Sequence, residues 1–120
     1  MIDMKQAMLS ALDGLPACTA ESYEREELSL PLIVVQDAEC STLARVDGKP
    51  YLEQYRGHVD VYAHSAADAD ALAARADAAL WALGLSREGY QEGHADAPFA
   101  YHRRMMYKAV LCGEWIYQEG

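Results

Sequence analysis

Positive charge is scarce in this sequence: 10 Lys and Arg stand against 19 Asp and Glu, for a formal net charge of −9 and a sequence pI of about 4.7. A surface that binds nucleic acid neutralises phosphates with clustered basic side chains, and one that adheres to anionic lipid needs the same. Only Arg103, Arg104 and Lys108 form a basic knot. Neither nucleic acid nor membrane is therefore an expected direct partner. Cysteine is sparse as well. Cys18, Cys40 and Cys112 lie far apart, with no CxxC spacing; an odd count argues against a disulfide framework and for a reducing compartment. No basic segment followed by an apolar run opens the chain, so no signal peptide and an intracellular protein are expected. The longest apolar stretch, Leu30 to Val35, contains Pro31 and falls far short of the roughly 20 residues that a spanning helix needs. Also missing are GxSxG, a glycine-rich phosphate loop, HExxH and paired cysteines.

What is present is ordinary globular composition. The 120 residues are 52% hydrophobic and 24% charged, which argues against disorder. A chain of this length buries roughly two-thirds of the surface its unfolded form exposes. No repeat, linker or low-complexity segment divides it, so residues 1–120 are expected to form a single α+β domain.

Asp3 and Gln6 have capping-box spacing, and Met4, Met8, Leu12 and Leu15 recur at helical intervals before Asp13-Gly14 and Pro16. This predicts a helix near residues 3–13. Residues 17–62 read as strands and hairpins. The run 30–37 is apolar almost throughout, as in a strand buried on both faces. Val46-Asp47-Gly48-Lys49 carries the signal for a tight type I′ turn. A strand is predicted over 54–64, with Tyr55, Gly57, Val59, Val61 and Ala63 on one face and Arg56, His58, Asp60, Tyr62 and His64 on the other.

Ser65 with Asp68 gives a second capping box, and Gly84 a C-terminal stop. Between them Ala69, Leu72, Ala76, Leu80 and Leu83 form one stripe, predicting a helix over 66–83 that lies closely on a sheet through Val59, Val61 and Leu111. Strands are predicted near 85–91 and, as one long run, 103–116, where Tyr107, Ala109, Leu111, Gly113 and Trp115 share a face. The expected architecture is an antiparallel or mixed sheet with two helices packed on one face.

Candidate chemistry is thin. His58, Asp60 and His64, with His94, Asp96 and His102 further along, have the donor types of a zinc or non-haem iron site if the strands bring three together. Alternate positions on a solvated strand face are polar in any case, and no metal or cofactor is expected. Cys112 sits in an apolar strand, where a thiol is a small hydrophobe unless cationic groups activate it. No catalytic residue is assigned and no enzymatic activity is expected. Glu21 to Glu27 reads as a solvated turn. Arg103-Arg104 beside Met105-Met106-Tyr107 has the mixture found at interfaces, or is a pair snorkelling at a strand start. Trp115 and Tyr117 are candidate interface anchors, while Trp81 reads as core.

The segment Gln54-Tyr55-Arg56-Gly57-His58-Val59-Asp60-Val61-Tyr62-Ala63-His64-Ser65, the alanine-rich helix ending Ala79-Leu80-Trp81-Ala82-Leu83-Gly84-Leu85, and the block Tyr101-His102-Arg103-Arg104-Met105-Met106-Tyr107 resemble the small tail-terminator (tail-completion, head–tail joining) proteins of long-tailed phages and prophages. The resemblance covers about residues 50–117, with Arg103 where a Lys is more usual. It implies an α+β fold without catalysis. It also implies self-association into a ring, commonly a hexamer, on the end of the tail tube, with tail tube and neck (head-connector) proteins as partners. The implied locations are the bacterial host cytoplasm during assembly and the virion tail. The acidic charge is compatible, since a ring through which DNA passes should not hold it. The rival reading is a small α+β dimer binding a metabolite or metal, a minor enzyme included.

Overall fold

The computed structural model describes residues 3–19, 31–94, 101–112 and 115–117; Glu21 to Glu27 and Asp96 lie outside these. Helix α1 spans Met4–Ala11, capped by the Asp3 carboxylate, which accepts from the Gln6 amide at 3.2 Å. Strand β1 is Ala17–Thr19, β2 is Leu32–Val46 and β3 is Lys49–Ala63. Helix α2, Ala66–Leu83, starts where the Ser65 hydroxyl accepts from the Asp68 amide at 3.1 Å. It ends at Gly84, whose φ of 113° is open to glycine at little steric cost. Strands β4, Ser86–His94, β5, Tyr101–Cys112, and β6, Trp115–Tyr117, complete the described elements.

One mixed six-stranded sheet results, in the order β1-β2-β3-β5-β4, with β6 paired to β5 beyond β4. The β1–β2 pair is parallel and the remainder antiparallel. At the β2–β3 turn Asp47 has φ 52° and Gly48 φ 78°, the paired positive values of a type I′ turn. β2 is about twice as long as its apolar run suggests, and β3 starts earlier than its alternation suggests. β2 continues from the apolar segment to residue 46, and β3 begins at residue 49 rather than 54.

On β3 the faces alternate from Tyr55 to Ala63, and in that stretch Asp60 alone breaks the burial pattern. Tyr55, Val59, Val61 and Ala63 are buried toward the helices, while Arg56, His58 and Tyr62 are half-buried on the other face. One core unites Met4, Met8 and Leu12 from the α1 region and Leu72, Ala76 and Leu80 from α2 with Ile33, Val35, Val59, Val61, Met105, Tyr107 and Leu111 from the sheet. Both described helices thus lie on one face. Leu83 packs at the margin of the core, half-buried.

The long final strand is a correction. β5 stops at Cys112, and β6 runs back along it, with Cys112 opposite Trp115 and Val110 opposite Tyr117. Directly opposed residues share a face, so Trp115 lies on the side of Cys112 and not of Tyr107. A second correction concerns Trp81, which is 70% exposed on α2. The stripe at residues 69, 72, 76 and 80 already fills the buried side of that helix.

Gly57 shows how local sequence serves packing. The Tyr55 ring lies along the strand across Gly57, and a Cβ built there would sit 2.5 Å from the Tyr55 hydroxyl and 3.0 Å from two ring carbons. The ring reaches over this gap to donate its hydroxyl to Asp37. Gly57→Ala should displace the ring and break that bond, costing about 1–3 kcal/mol. Urea unfolding checks this, and paired substitution with Tyr55→Phe should give less than the sum of the two losses.

Candidate functional site

Three clusters of polar side chains stand out, each built by register. The first lies on the helix-free face, where Val34, Asp60 and Arg104 are directly opposite across β2, β3 and β5. Asp60 is only 1% exposed. Its carboxylate accepts from Arg104 Nε at 2.8 Å and Nη2 at 3.4 Å, from Gln36 Nε2 at 3.1 Å, and lies 2.6 Å from His102 Nε2. The His102 ring stacks on Tyr62 with centroids 4.7 Å apart. Burial alone would raise the Asp60 carboxyl; the hydrogen bonds from Arg104 and His102 outweigh it and hold the group below its ordinary value. The result is a saturated structural knot, because the carboxylate oxygens are already occupied by a guanidinium, an imidazole and an amide.

The histidine constellation is therefore dispersed. Asp60 and His102 meet; His58 is half-buried two residues along β3, and His64 is exposed beyond the strand end. Among the described residues no three His, Cys, Asp or Glu side chains group so as to hold a metal ion. Cys112 is half-buried on the helix-free face.

The second cluster joins α2 to the sheet. Adjacent residues on β5 point to opposite faces, so Arg103 turns inward while Arg104 turns outward, and the basic knot is split. Arg103 is 5% exposed and donates to Asp70 at 2.8 Å, which also accepts from the Tyr90 hydroxyl at 3.1 Å. The hydrogen bond to Asp70 raises the guanidinium's affinity for its proton, and the same bond lowers the Asp70 carboxyl. Seven residues on, Asp77 accepts from the Tyr107 hydroxyl at 2.6 Å and sits 3.7 Å from Arg87. Two turns of helix separate these carboxylates, so they act as paired struts that fix the rotation of α2 on the sheet.

The third cluster lines a cavity of about 280 Å³ between the start of α1 and the middle of β2, walled by Asp3, Met4, Asp37, Glu39, Cys40, Tyr55 and Leu111. A register shift between Asp37 and Glu39 makes it, since Ala38 is an extra residue on β2. Burial, reinforced by the bond to Asp37, raises the Tyr55 hydroxyl far above its usual range, so it stays protonated. The Cys40 thiol donates to Glu53 at 3.1 Å and is pushed up to about 11 by desolvation and that carboxylate.

The cavity was not legible in the sequence, because a bulge at an alanine leaves no turn signal. The Asp60 partners were half-visible. The polar alternation of β3 was clear, whereas its pairing with Arg104 depends on a strand more than 40 residues away. Compared with known proteins, the chain matches no family model and no curated protein sequence. No described helix is long and apolar enough to cross a membrane.

Proposed function

We propose that this chain is a non-enzymatic assembly protein that acts by symmetric self-association, as a terminator of the tail tube in a long-tailed phage or prophage. In this reading it assembles in the host cytoplasm and remains in the virion tail as a ring, commonly of six copies, between tube and neck proteins. The observation that carries the self-association is the exposure of large apolar side chains: Trp81 at 70%, Trp115 at 77%, Val46 at 55% and Leu43 at 52%. Tryptophans dominate binding energy at protein interfaces, and such side chains are costly to leave in water. The placement at a tail end rests on the resemblance of residues 50–117.

An open edge supports the same reading. β1 pairs only with Ile33–Val35, so among the described strands residues 36–46 of β2 have β3 alone as neighbour. Edges of this kind are either protected or used to add strands from another chain. The rival metabolite site finds less support, since the 280 Å³ cavity falls below the roughly 300–1,000 Å³ of small-molecule pockets.

Replacing Trp81 and Trp115 together with serine should leave unfolding stability within about 1 kcal/mol and weaken self-association at least about tenfold. Sedimentation over a concentration series measures it, and unchanged association would remove these residues from the interface. Deleting the gene from an inducible prophage that carries it should give overlong tubes or unattached heads and tails in the lysate. Tails of parental length joined normally to heads would end the terminator reading.

A further inference from the structure

The β2–β3 hairpin outgrows the sheet. β5 accompanies β3 only as far as Leu52, opposite Cys112, and past that point the hairpin has no third strand among the described residues. Its tip exposes Leu43 and Val46 together with Arg45, whose guanidinium donates to a neutral acceptor, the Gly48 carbonyl, at 3.4 Å. Residues 43–50 carry Arg45 and Lys49 against Asp47, so the tip is apolar with a formal charge of +1 in a chain that is acidic as a whole. At the base of the same hairpin lies the cavity with the reverse character: apolar walls at Met4 and Leu111, with Asp3, Asp37 and Glu39 around them. The Asp37 and Asp3 carboxylates accept from a hydroxyl and a helix amide, whereas Glu39, opposite Arg56, turns its carboxylate to the helix-free face, 3.5 Å from that guanidinium.

We propose that the hairpin tip of one copy docks in the hairpin-base cavity of a second copy, with Val46 and Leu43 against Met4 and Leu111 and Arg45 beside Asp37. The occupant is another molecule because a tip cannot reach its own cavity. Cys40, on the cavity wall, and Val46, at the tip, are six residues apart on one paired strand, roughly 20 Å at about 3.3 Å per residue. The cavity volume suits one or two side chains better than a free ligand. Tip and cavity are different surfaces of the chain, so the contact is heterologous and propagates from copy to copy until a ring closes. This inference rests on the self-association reading and supplies its contact.

The test places the photoreactive residue p-benzoylphenylalanine at position 46 of the full chain, irradiates concentrated protein, and maps the cross-link by mass spectrometry. Attachment at Met4, Cys40 or Leu111 of another copy is expected, with a ladder of products beyond the dimer. Cross-links elsewhere, or none, would overturn the docking while leaving self-association through the tryptophans standing. Products that stop at the dimer would instead keep the tip-in-cavity contact and overturn the ring. A second measurement covers the chance that position 46 tolerates the probe poorly. Arg45→Glu and Asp37→Lys should each weaken association about tenfold or more, and the two together should recover most of it, because the charges are exchanged across the contact. Absence of that recovery would count against the pairing.

Discussion

Asp60→Ala should destabilise the fold by about 2–4 kcal/mol, one of the largest losses available to a single substitution on the helix-free face. The carboxylate is buried and satisfies Arg104, His102 and Gln36 at once. Its removal strands a guanidinium and an imidazole over an apolar stretch that includes Val34. Arg104 keeps about a third of its side-chain surface in water, which limits the penalty. Denaturant unfolding at neutral pH measures the loss, and a value under about 0.5 kcal/mol, typical of surface changes, would mean that the knot is ornamental.

Acid gives the same interaction a signature. The folded Asp60 carboxyl lies below its ordinary value of 3.8. On acidification the unfolded chain therefore takes up this proton first. The contribution is complete above the ordinary value and is lost as pH falls through the folded one. The parent should lose more stability than Asp60→Ala between about pH 5 and pH 2. Equal acid dependence in both proteins would show that the carboxylate is not held charged by its partners.

Leu80→Ala is the second large effect, expected to cost about 2–5 kcal/mol. Leu80 has no exposed surface and belongs to the core that joins α2 to α1 and the sheet. The struts from Asp70 and Asp77 hold the helix at fixed rotation on the strands. The helix therefore has little freedom to sink into the space left by the missing side chain. Leu83→Ala, at the margin of the same core, should cost less. Thermal or urea unfolding of both variants decides the matter, and equal small losses would place the stripe outside the core.

Much of this arrangement was legible where chemistry acts locally. The two side-chain caps, the Asp-Gly turn, the glycine stop and the apolar stripe each need only neighbouring residues, and each is where the spacing places it. Phase was the harder quantity. Extrapolating a regular hairpin from Asp47-Gly48 puts Val35 opposite Asp60, whereas the extra residue at Ala38 puts Val34 there. Residues 32–35 are apolar and buried throughout, so the pattern carries no mark of which of them faces the helices. The reversal after Cys112 escaped for a related reason. Gly113-Glu114 is a weak turn signal beside Asn-Gly or Asp-Gly, and the alternation before it continues plausibly through it. Trp81 shows the limit of composition, since a large apolar residue in a helix reads as core until the other side of that helix is known to be full.

The thiol of Cys40 separates visibility from reactivity. It stands exposed at the wall of the cavity, where an ordinary cysteine would be a hazard for adventitious oxidation. Nucleophilic attack, however, belongs to the thiolate. With the group pushed up to about 11, fewer than about one molecule in a thousand carries that anion at neutral pH. Partial burial and the Glu53 carboxylate together passivate the sulfur, and the most accessible cysteine of the three is kept chemically quiet by its surroundings.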